Sequence, residues 1–402
     1  MQYHNRIQAL RGQLQSIGVT GTNGKSSTTS MLSNITAQRG LGIAEMTTLG
    51  ARVNNQRILR QDRQEIFWEV VQRAVHAKVP TLCLEVTSQA LMNGFAKNWA
   101  VDVGVFTNLT LDHMDTHGSA EHYLASKAQL FAHLPLHGCA VLNADDHASD
   151  LLREIIPQHC RIQYYSVHSP NTDLQATHID VQPTGTRMIL ANSQLSRALG
   201  GILHLQAVGT VFAYNALGAA LGAFALGYRP DEIKKGLESW SPISGRFEIV
   251  HHNPLVVVDY AHTPDGLQRT LETATELCSE SGRIFCVFGC GGDRDPSKRP
   301  QMGLIADEYA DKVIVTSDNP RFEDNHKIVE HIMDRLKNLR KWTIEHDRPK
   351  AIELALQQAQ PQDIVLIAGK GHEKSQSIQG RSIHCSDHEI VTEYFDRQQS
   401  LT

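Results

Sequence analysis

The chain has 402 residues, of which 41% are hydrophobic and 20% charged, a globular composition with enough length for two or three domains with full cores. A net charge of −5 and the lack of a basic block argue against a nucleic-acid-binding protein. The polar N-terminus lacks the apolar core of a signal peptide, and no apolar run reaches the roughly 18 residues of a membrane span, so we expect a cytoplasmic protein.

Short runs of β-branched and aliphatic residues alternate with helical stretches along most of the chain. These runs are SIGVTG, TLCLEV, VDVGVFTN and CAVLNAD, and later LVVVDYA, RIFCVFG, DKVIVTSD and DIVLIAG. The alternation predicts an α/β protein with mostly parallel sheets, in which ligand-binding residues lie at the carboxyl ends of the strands. A break near Pro242 to Gly245 predicts two domains, 1–243 and 244–402.

The stretch before this break has a different pattern. The short runs IQYYSV, THIDVQ and TRMILA predict an antiparallel appendage, and TVFAYNALGAALGAFALG predicts a helical pair.

A glycine-rich loop, VTGTNGKSS, follows the first predicted strand and opens a helix. Backbone N–H groups at a helix N-terminus bind phosphates, and the glycines let the backbone approach them closely. We expect Lys25 to neutralise the β- and γ-phosphates of ATP and Ser26 to bind Mg²⁺. The spacing is GxxGKS rather than the GxxxxGKS of the common P-loop, so an ordinary glycine turn is the alternative. The candidate phosphate-binding residues are Gly21, Thr22, Asn23, Gly24, Lys25, Ser26 and Ser27.

Two further segments supply candidate metal ligands. Glu85 ends the buried run TLCLE, and a buried carboxylate without a partner is costly, so a metal cation is its expected partner and a salt bridge is the alternative. The next strand leads into LDHMDTHG, which contains Asp112, His113, Asp115 and His117. Zinc is one interpretation of this cluster, but no cysteine is near, and Mg²⁺ accepts oxygen ligands with a single histidine.

Longer motifs in chain order resemble the Mur ligase family, which also contains folylpolyglutamate synthetase. They are VTGTNGKSS, LEVTSQAL, VFTNLTLDHMDTHG, HYLASKAQLF, NADD, SGRFE, VVDYAHTPD, VFGCGGDRDPSKRP, TSDNPR and AGKGHE. The last five are most similar to the branch of the family that adds diaminopimelate to a muramoyl dipeptide. The resemblance implies a central P-loop-type ATPase domain followed by a C-terminal Rossmann-like domain.

The resemblance also implies a reaction. ATP phosphorylates a substrate carboxylate, and an amine attacks the acyl phosphate to give an amide, ADP and phosphate. Lys25 and Ser26 match the family's phosphate and Mg²⁺ ligands, and Glu85 and His113 match the ligands of a second Mg²⁺. Lys127 in ASKAQ falls where the family carries a carbamylated lysine, whose negative charge helps to hold this second ion.

The resemblance further implies which residues bind the nucleotide and which bind the incoming amino acid. Asn215 matches an adenine contact, Arg246 a phosphate contact, and Asp259 a ribose or phosphate contact with His262 close by. In the amino-acid pocket, arginine suits a distal carboxylate and acidic side chains suit an ammonium group, as diaminopimelate requires. The predicted pocket residues are Arg294, Asp318, Asn319, Pro320, Arg321, Gly369 and Glu373.

The acceptor side departs from the family pattern. Thr47, Thr48 and Ser88 match positions that contact the muramoyl peptide, but Phe95 stands where the family has an arginine and Phe212 where it has an asparagine. The family's UDP-binding domain precedes the phosphate loop, whereas only a short segment precedes it here. We therefore expect an altered acceptor, or a partner protein that supplies an acceptor-binding domain. A ligase of specialised metabolism, a folate-type glutamate ligase and a nonenzymatic nucleotide-binding subunit are the alternatives.

Overall fold

The computed structural model describes residues 10–59, 62–110 and 119–400. The chain forms two compact units, of which the first ends at Ser241 and the second starts at Pro242, with residues 181–183 grouped with the second. Each unit has its own sheet and its own helices.

The first unit is built on an eleven-stranded, mostly parallel sheet. Its strands are β1 (Gln15–Thr20), β2 (Ala44–Thr47), β3 (Gly50–Val53), β4 (Gln56–Ile58), β5 (Thr81–Glu85), β6 (Val103–Phe106), β7 (Cys139–Asn143), β8 (Arg161–Ser166), β9 (Leu174–Gln182), β10 (Gly185–Leu190) and β11 (Ile202–Leu205). The strand order is β11-β10-β9-β8-β7-β6-β1-β5-β2-β3-β4. Since β1 pairs in parallel with β5 and β6, and β6 with β7, the carboxyl ends of these four strands share one edge.

Helices cover this sheet and bury an apolar core. They are α1 (Lys25–Ala37), α2 (Arg63–His76), α3 (Ser88–Met92), α4 (Phe95–Asn98), α5 (Ala120–Ala132), α6 (Ala148–Ile155), α7 (Gln194–Ala198), α8 (Thr210–Ala225) and α9 (Pro230–Glu238). In the core, Phe67 makes edge-to-face contacts with Phe95 and with Trp99, each at 5.2 Å between ring centroids. Asp62 accepts hydrogen bonds from the backbone N–H groups of Gln64 and Glu65 and so caps α2.

The structure corrects two expectations for residues 160–225. The expected appendage is a continuation of the main sheet, in which β8 pairs in parallel with both β7 and β9. The expected antiparallel pairing is confirmed for β10 with β11. Alternation of apolar and polar residues predicts a strand but carries no information on the direction of its pairing. The expected helical pair is the single helix α8, because Gly218 and Gly222 lie where the helix packs closely on Tyr165 and Ile17 and do not interrupt it.

The second unit contains a six-stranded sheet and a two-stranded sheet. Its strands are β12 (Glu248–His252), β13 (Leu255–Asp259), β14 (Ile284–Phe288), β15 (Lys312–Val315), β16 (Trp342–Ile344), β17 (Ile364–Ala368), β18 (Ser375–Ile378) and β19 (Arg381–His384). The larger sheet has the order β12-β13-β17-β14-β15-β16, and every pair in it except β12 with β13 is parallel. The segments that follow β13, β17, β14 and β15 therefore leave the same edge.

Five helices complete the second unit. They are α10 (Pro264–Leu277), α11 (Arg299–Tyr309), α12 (Asn325–Met333), α13 (Arg348–Gln358) and α14 (Asp387–Gln399). The core between sheet and helices consists of aliphatic side chains such as Val256, Val365, Ile367 and Ile352, all 0% exposed. In the described parts of both units, none of the helices has the length and apolar character needed to cross a membrane.

Candidate active site

The glycine-rich loop connects β1 to α1 in the first unit. Gly24, the N-cap residue of α1, has φ 82°, and no side chain caps the helix, so its first N–H groups can bind an anion. A Cβ at Gly24 would overlap Oδ1 of Asn215, and one at Gly21 would overlap Oγ1 of Thr107. Both glycines are therefore required by the close approach of neighbouring segments. Lys25 donates from Nζ to the carbonyl oxygen of Thr22 at 2.5 Å.

Two further loop residues, Thr22 and Asn23, donate hydrogen bonds to the segment after β6. The N–H of Thr22 donates to the carbonyl oxygen of Asn108 at 2.8 Å, and the N–H of Asn23 donates to Oδ1 of Asn108 at 2.9 Å. Ser26 and Ser27 are buried at the start of α1.

Glu85 lies beside this loop, since β5 is the parallel neighbour of β1. Its Oε2 accepts hydrogen bonds from the hydroxyl of Ser26 at 2.8 Å and from the backbone N–H of Thr48 at 2.9 Å. The hydroxyl of Thr48 lies 3.2 Å from Oε1 of the same carboxylate. Hydroxyl and carboxylate oxygens are the donors that Mg²⁺ prefers, so this set of atoms fits a magnesium ion.

Lys127 reaches the same region from α5. Its side chain is 1% exposed, and Nζ donates to the carbonyl oxygen of Gly21 at 2.7 Å and lies 3.9 Å from the ring centroid of Tyr123. The structure thus places Lys127 at the glycine-rich loop.

The other predicted metal ligand, His113, lies outside the described residues, as do Asp112, Asp115 and His117. Within 10–59, 62–110 and 119–400, no three His, Cys, Asp or Glu residues form a group that could hold a metal ion.

Asn215 is held next to the loop by its position on α8. The preceding residue, Tyr214, donates its hydroxyl hydrogen to Oδ2 of Asp145 at 2.9 Å. Asp145 also accepts backbone hydrogen bonds from Val167 and His168 after β8. Burial acts to raise the pKa of Asp145, but the hydrogen bonds from Ser169, these N–H groups and Tyr214 outweigh it and lower the pKa to about 2.

The predicted acceptor residues differ in their contacts. Thr48 belongs to the Glu85 cluster, whereas Oγ1 of Thr47 accepts from the N–H of Leu49 at 3.2 Å within its own turn. Ser88 is buried at the first position of α3. Phe95, which stands at the family's arginine position, packs its ring on Phe67.

In the second unit, the predicted nucleotide residues surround the end of β13. Asp259 accepts hydrogen bonds from the N–H groups of Phe247 at 2.6 Å and Ala261 at 2.7 Å. Burial raises the pKa of Asp259, although Arg246 and these hydrogen bonds act in the opposite direction. The guanidinium of Arg246 stacks 4.5 Å from the ring centroid of Tyr260.

Two further groups shape this part of the second unit. His262 Nδ1 lies 2.8 Å from the carbonyl oxygen of Tyr260, and Lys298 donates to the carbonyl oxygen of His262 at 2.8 Å. Glu248 accepts from the N–H of Gly245 at 2.6 Å and so fixes the turn before Arg246. Burial acts to raise the pKa of Glu248, but hydrogen bonds, first among them that of His388, lower it to about 2.

The predicted amino-acid pocket residues come together at the ends of β14, β15 and β17. The side-chain amide of Asn319 donates to Oδ1 of Asp318 at 3.0 Å and to Oε2 of Glu373 at 2.9 Å. A Cβ at Gly369 would lie 2.6 Å from Oδ2 of Asp318, so only glycine fits there. Burial raises the pKa of Asp318, against the lowering effects of Arg348 and Lys370.

Two arginines flank the loop after β14. Arg321 has φ 53° and donates from Nη1 to the carbonyl oxygen of Gly292 at 2.6 Å. A Cβ at Gly291 would lie 3.0 Å from Nη1 of Arg321 and 3.7 Å from Cγ of Arg294, which is exposed. The carbonyl of Pro320 packs on Gly292, where a Cβ would overlap its oxygen.

Comparisons with known proteins agree with this geometry. The model of the Mur ligase middle domain matches residues 19–223, and that of the Mur ligase glutamate ligase domain matches residues 245–371. The chain belongs to the Mur ligase family.

Two relatives and one solved structure that are similar to this Mur ligase share one name. The UDP-N-acetylmuramoyl-L-alanyl-D-glutamate--2,6-diaminopimelate ligase of Trichormus variabilis is 38% identical over 385 residues, 94% of this chain and 76% of the relative. The ligase of that name from Halalkalibacterium halodurans is 39% identical over 93% of this chain and 76% of its own. A solved structure of a ligase of that name has a TM-score of 0.68 and 31% identity over 96% of this chain and 79% of its own.

The fold extends to more distant proteins. Escherichia coli FolC in complex with ADP has a TM-score of 0.67 at 20% identity, covers 99% of this chain and 94% of its own, and so shows a shared fold alone. The predicted fold class, a P-loop-type ATPase domain and a C-terminal Rossmann-like domain, is confirmed. The protein is an ATP-dependent ligase that forms C–N bonds.

Sequence reasoning missed several residues that hold the pocket of this Mur ligase. Lys370 donates to Oε2 of Glu373 at 3.1 Å, and Gln376 donates to the carbonyl oxygen of Asp318 at 2.8 Å. Lys370 lies within the GKGHE motif and could have been found there. Arg348 and Asp387 form an ion pair with both side chains 0% exposed, and neither lies in a motif.

Proposed function

We propose that the protein joins an amine of diaminopimelate, or of a close analogue with a distal zwitterionic end, to an acidic muramoyl-peptide acceptor. The observation that carries this proposal is the cluster of Asp318, Asn319 and Glu373 with Arg321 at adjacent strand ends. The planar guanidinium of Arg321 can donate two hydrogen bonds to a distal carboxylate, and the acidic groups can pair with the ammonium group beside that carboxylate. Lysine lacks that carboxylate and would leave Arg321 without its ligand.

The proposed reaction has two steps. An acceptor carboxylate takes the γ-phosphoryl group of ATP, which gives an acyl phosphate and ADP. The deprotonated amine then attacks the carbonyl carbon, and a tetrahedral intermediate collapses as the C–O bond to phosphate breaks and the surplus proton passes to solvent. Phosphorylation is needed because a carboxylate oxygen is a poor leaving group.

The residues of the first unit are proposed to bind the triphosphate. The loop from Gly21 to Ser27 supplies N–H donors, Lys25 neutralises phosphate charge, and Asn215 contacts the adenine. Magnesium, when bound, neutralises the triphosphate charge. Ser26 is the proposed ligand of one Mg²⁺, and Glu85, His113 and carbamylated Lys127 are the proposed ligands of a second. In the second unit, Arg246, Asp259 and His262 are proposed to contact the phosphates and ribose.

The acceptor is proposed to contact Thr47, Thr48 and Ser88, and the reaction to take place in the cytoplasm. One observation favours a second candidate, a ligase whose acceptor carries no UDP. Phe95 packs on Phe67 in place of a charged side chain, so this position provides no charge for an anionic acceptor. A partner protein that contributes an acceptor-binding domain would reconcile Phe95 with a UDP-linked acceptor.

A substrate panel tests the proposal. The purified protein is incubated with ATP, Mg²⁺, one acceptor and one amino acid, and both ADP release and product mass are measured. The acceptors are UDP-N-acetylmuramoyl-L-alanyl-D-glutamate, the same muramoyl dipeptide without UDP, and tetrahydrofolate. The amino acids are diaminopimelate, lysine and glutamate. We expect ADP and a ligated product only with diaminopimelate. Equal or better coupling of lysine would overturn the amino-acid assignment, and coupling of glutamate to tetrahydrofolate would establish the folate-type alternative.

A further inference from the structure

The buried guanidinium of Arg348 lies next to Gly369 of the predicted amino-acid pocket. Arg348, the first residue of α13, donates from Nε and Nη2 to the two carboxylate oxygens of Asp387, the first residue of α14, each at 2.7 Å. Both side chains are 0% exposed. A buried ion pair of this kind contributes little stability relative to apolar residues of the same volume, so its presence calls for another explanation.

The same guanidinium holds the backbone of the pocket. Nη2 of Arg348 also donates to the carbonyl oxygen of Ala368 at 3.0 Å, immediately before Gly369. Gly369 has φ +113°, and its Cα faces the carboxylate of Asp318 so closely that a Cβ would lie 2.6 Å from Oδ2. The position of Arg348 therefore fixes the turn against which Asp318 packs.

Arg348 also acts on Asp318 through its charge. Asp318 is 7% exposed. Burial raises the pKa of Asp318, and the largest opposing effect is that of Arg348, followed by Lys370, while Glu373 and Asp387 add to the increase. In the part of the chain that the structure describes, Nη1 of Arg348 is buried without a hydrogen-bond partner, while Nε and Nη2 bind Asp387.

We propose that Arg348 is a positioning residue for substrate recognition, which holds Asp318 and the Ala368–Gly369 turn in the arrangement that binds the ammonium group of the amino acid. This inference rests on the proposed function, because the ligand of Asp318 is the zwitterionic amino acid proposed above. It goes beyond that function by assigning a role in specificity to a side chain that does not touch the substrate.

The test removes the ion pair without leaving a buried charge unpaired. The double variant Arg348→Met with Asp387→Asn deletes both charges at similar volume, which usually preserves folding. Arg348→Lys is the second variant, since lysine keeps the positive charge but cannot donate two parallel hydrogen bonds to the carboxylate of Asp387. The matched control is Arg283→Met with Asp363→Asn, a pair 2.7 Å apart at the amino ends of β14 and β17.

Two measurements separate the outcomes. In the ligation assay we expect the KM for the amino acid to rise roughly tenfold or more in both Arg348 variants, while their KM for ATP stays near the wild-type value. In the control variant, we expect both KM values to stay near those of the wild type. In an NMR titration of protein labelled at the aspartate carboxyl carbons, with the Asp318 signal assigned by Asp318→Asn, we expect the pKa of Asp318 to rise in the double variant. An unchanged Asp318 titration, or equal changes in both KM values, would overturn the role of Arg348. Because the titration needs no turnover, a wild-type protein that fails to ligate diaminopimelate would refute the proposed function separately.

Discussion

The hydroxyl of Ser26 donates to the carboxylate of Glu85 at 2.8 Å, although the two residues are 59 positions apart in the chain. They meet because β1 and β5 are parallel neighbours, in register from Gln15 with Thr81 to Val19 with Glu85. Strand pairing thus brings a helix N-terminus and a buried carboxylate to one point, where an oxygen-binding cation would neutralise the carboxylate.

We predict that Glu85→Gln raises the Mg²⁺ concentration required for half-maximal activity by roughly tenfold or more. Glutamine keeps the shape and can still accept from Ser26 and Thr48, but it removes the negative charge. The measurement is ADP release during Mg²⁺ titration at saturating ATP. Glu65→Gln, an exposed position in α2, is the control. A Mg²⁺ dependence equal to that of the wild type would remove Glu85 from the set of metal ligands.

A pair of glycine variants tests the shape of the phosphate loop. Gly24→Ala and Gly40→Ala both place alanine at positive φ, 82° and 70°, with a comparable strain of about 1 kcal/mol. Only the Cβ at position 24 would collide with Asn215, since nothing lies within 4 Å of a Cβ at position 40. We expect Gly24→Ala to abolish binding of a fluorescent ATP analogue and Gly40→Ala to bind it normally. Similar binding by the two variants would show that the close approach of Asn215 is not required.

The sequence predicted the strand ends well because buried parallel strands are short apolar runs that stop at polar residues. The placement of Glu85, Asp259 and Asp318 at such ends follows from this pattern. Arg348 and Asp387 escaped prediction because each begins a helix with no motif, and only the packing of α13 and α14 brings them together. Similarly, no local pattern relates Tyr214 to Asp145, which are 69 positions apart. His113 stays a prediction.

Lys127 provides a test of the expected carbamate. The side chain is buried beside the glycine-rich loop. The proposed Mg²⁺ would repel the ammonium group of Lys127 there, and an uncharged or negatively charged group would relieve this repulsion. We predict that Lys127→Ala lowers ligation by at least about tenfold and that added short carboxylates restore part of it. Lys97→Ala, at an exposed position on α4, should behave as wild type with and without carboxylates. Activity of Lys127→Ala at the wild-type level would exclude Lys127 from the mechanism.

Arg321 tests the assignment of the amino-acid pocket. Its Nη1 donates to the carbonyl oxygen of Gly292, which orients the guanidinium at the strand ends. Because loss of a charge-assisted hydrogen bond costs about 1.5–3 kcal/mol, Arg321→Ala should raise the KM for diaminopimelate by about 10- to 100-fold. Steady-state kinetics with each substrate varied in turn should show little change in the KM for ATP. The exposed Arg340→Ala is the control, and equal effects on both substrates would refute the assignment.

The lowered pKa of Asp145 predicts how the stability of the first unit depends on pH. Its pKa is lowered from 3.8 to about 2, since hydrogen bonds from Ser169, His168, Val167 and Tyr214 outweigh the effect of burial. A carboxyl group with a lowered pKa in the folded state contributes its stability in full above 3.8 and loses it as the pH falls towards about 2. Asp145→Asn should therefore lower the melting temperature at neutral pH, and the difference from the wild type should narrow only below about pH 4. Circular dichroism melts across this range measure it, with the exposed Glu154→Gln on α6 as the control. A difference that stays constant down to pH 2 would show that the charge of Asp145 does not stabilise the connection to α8.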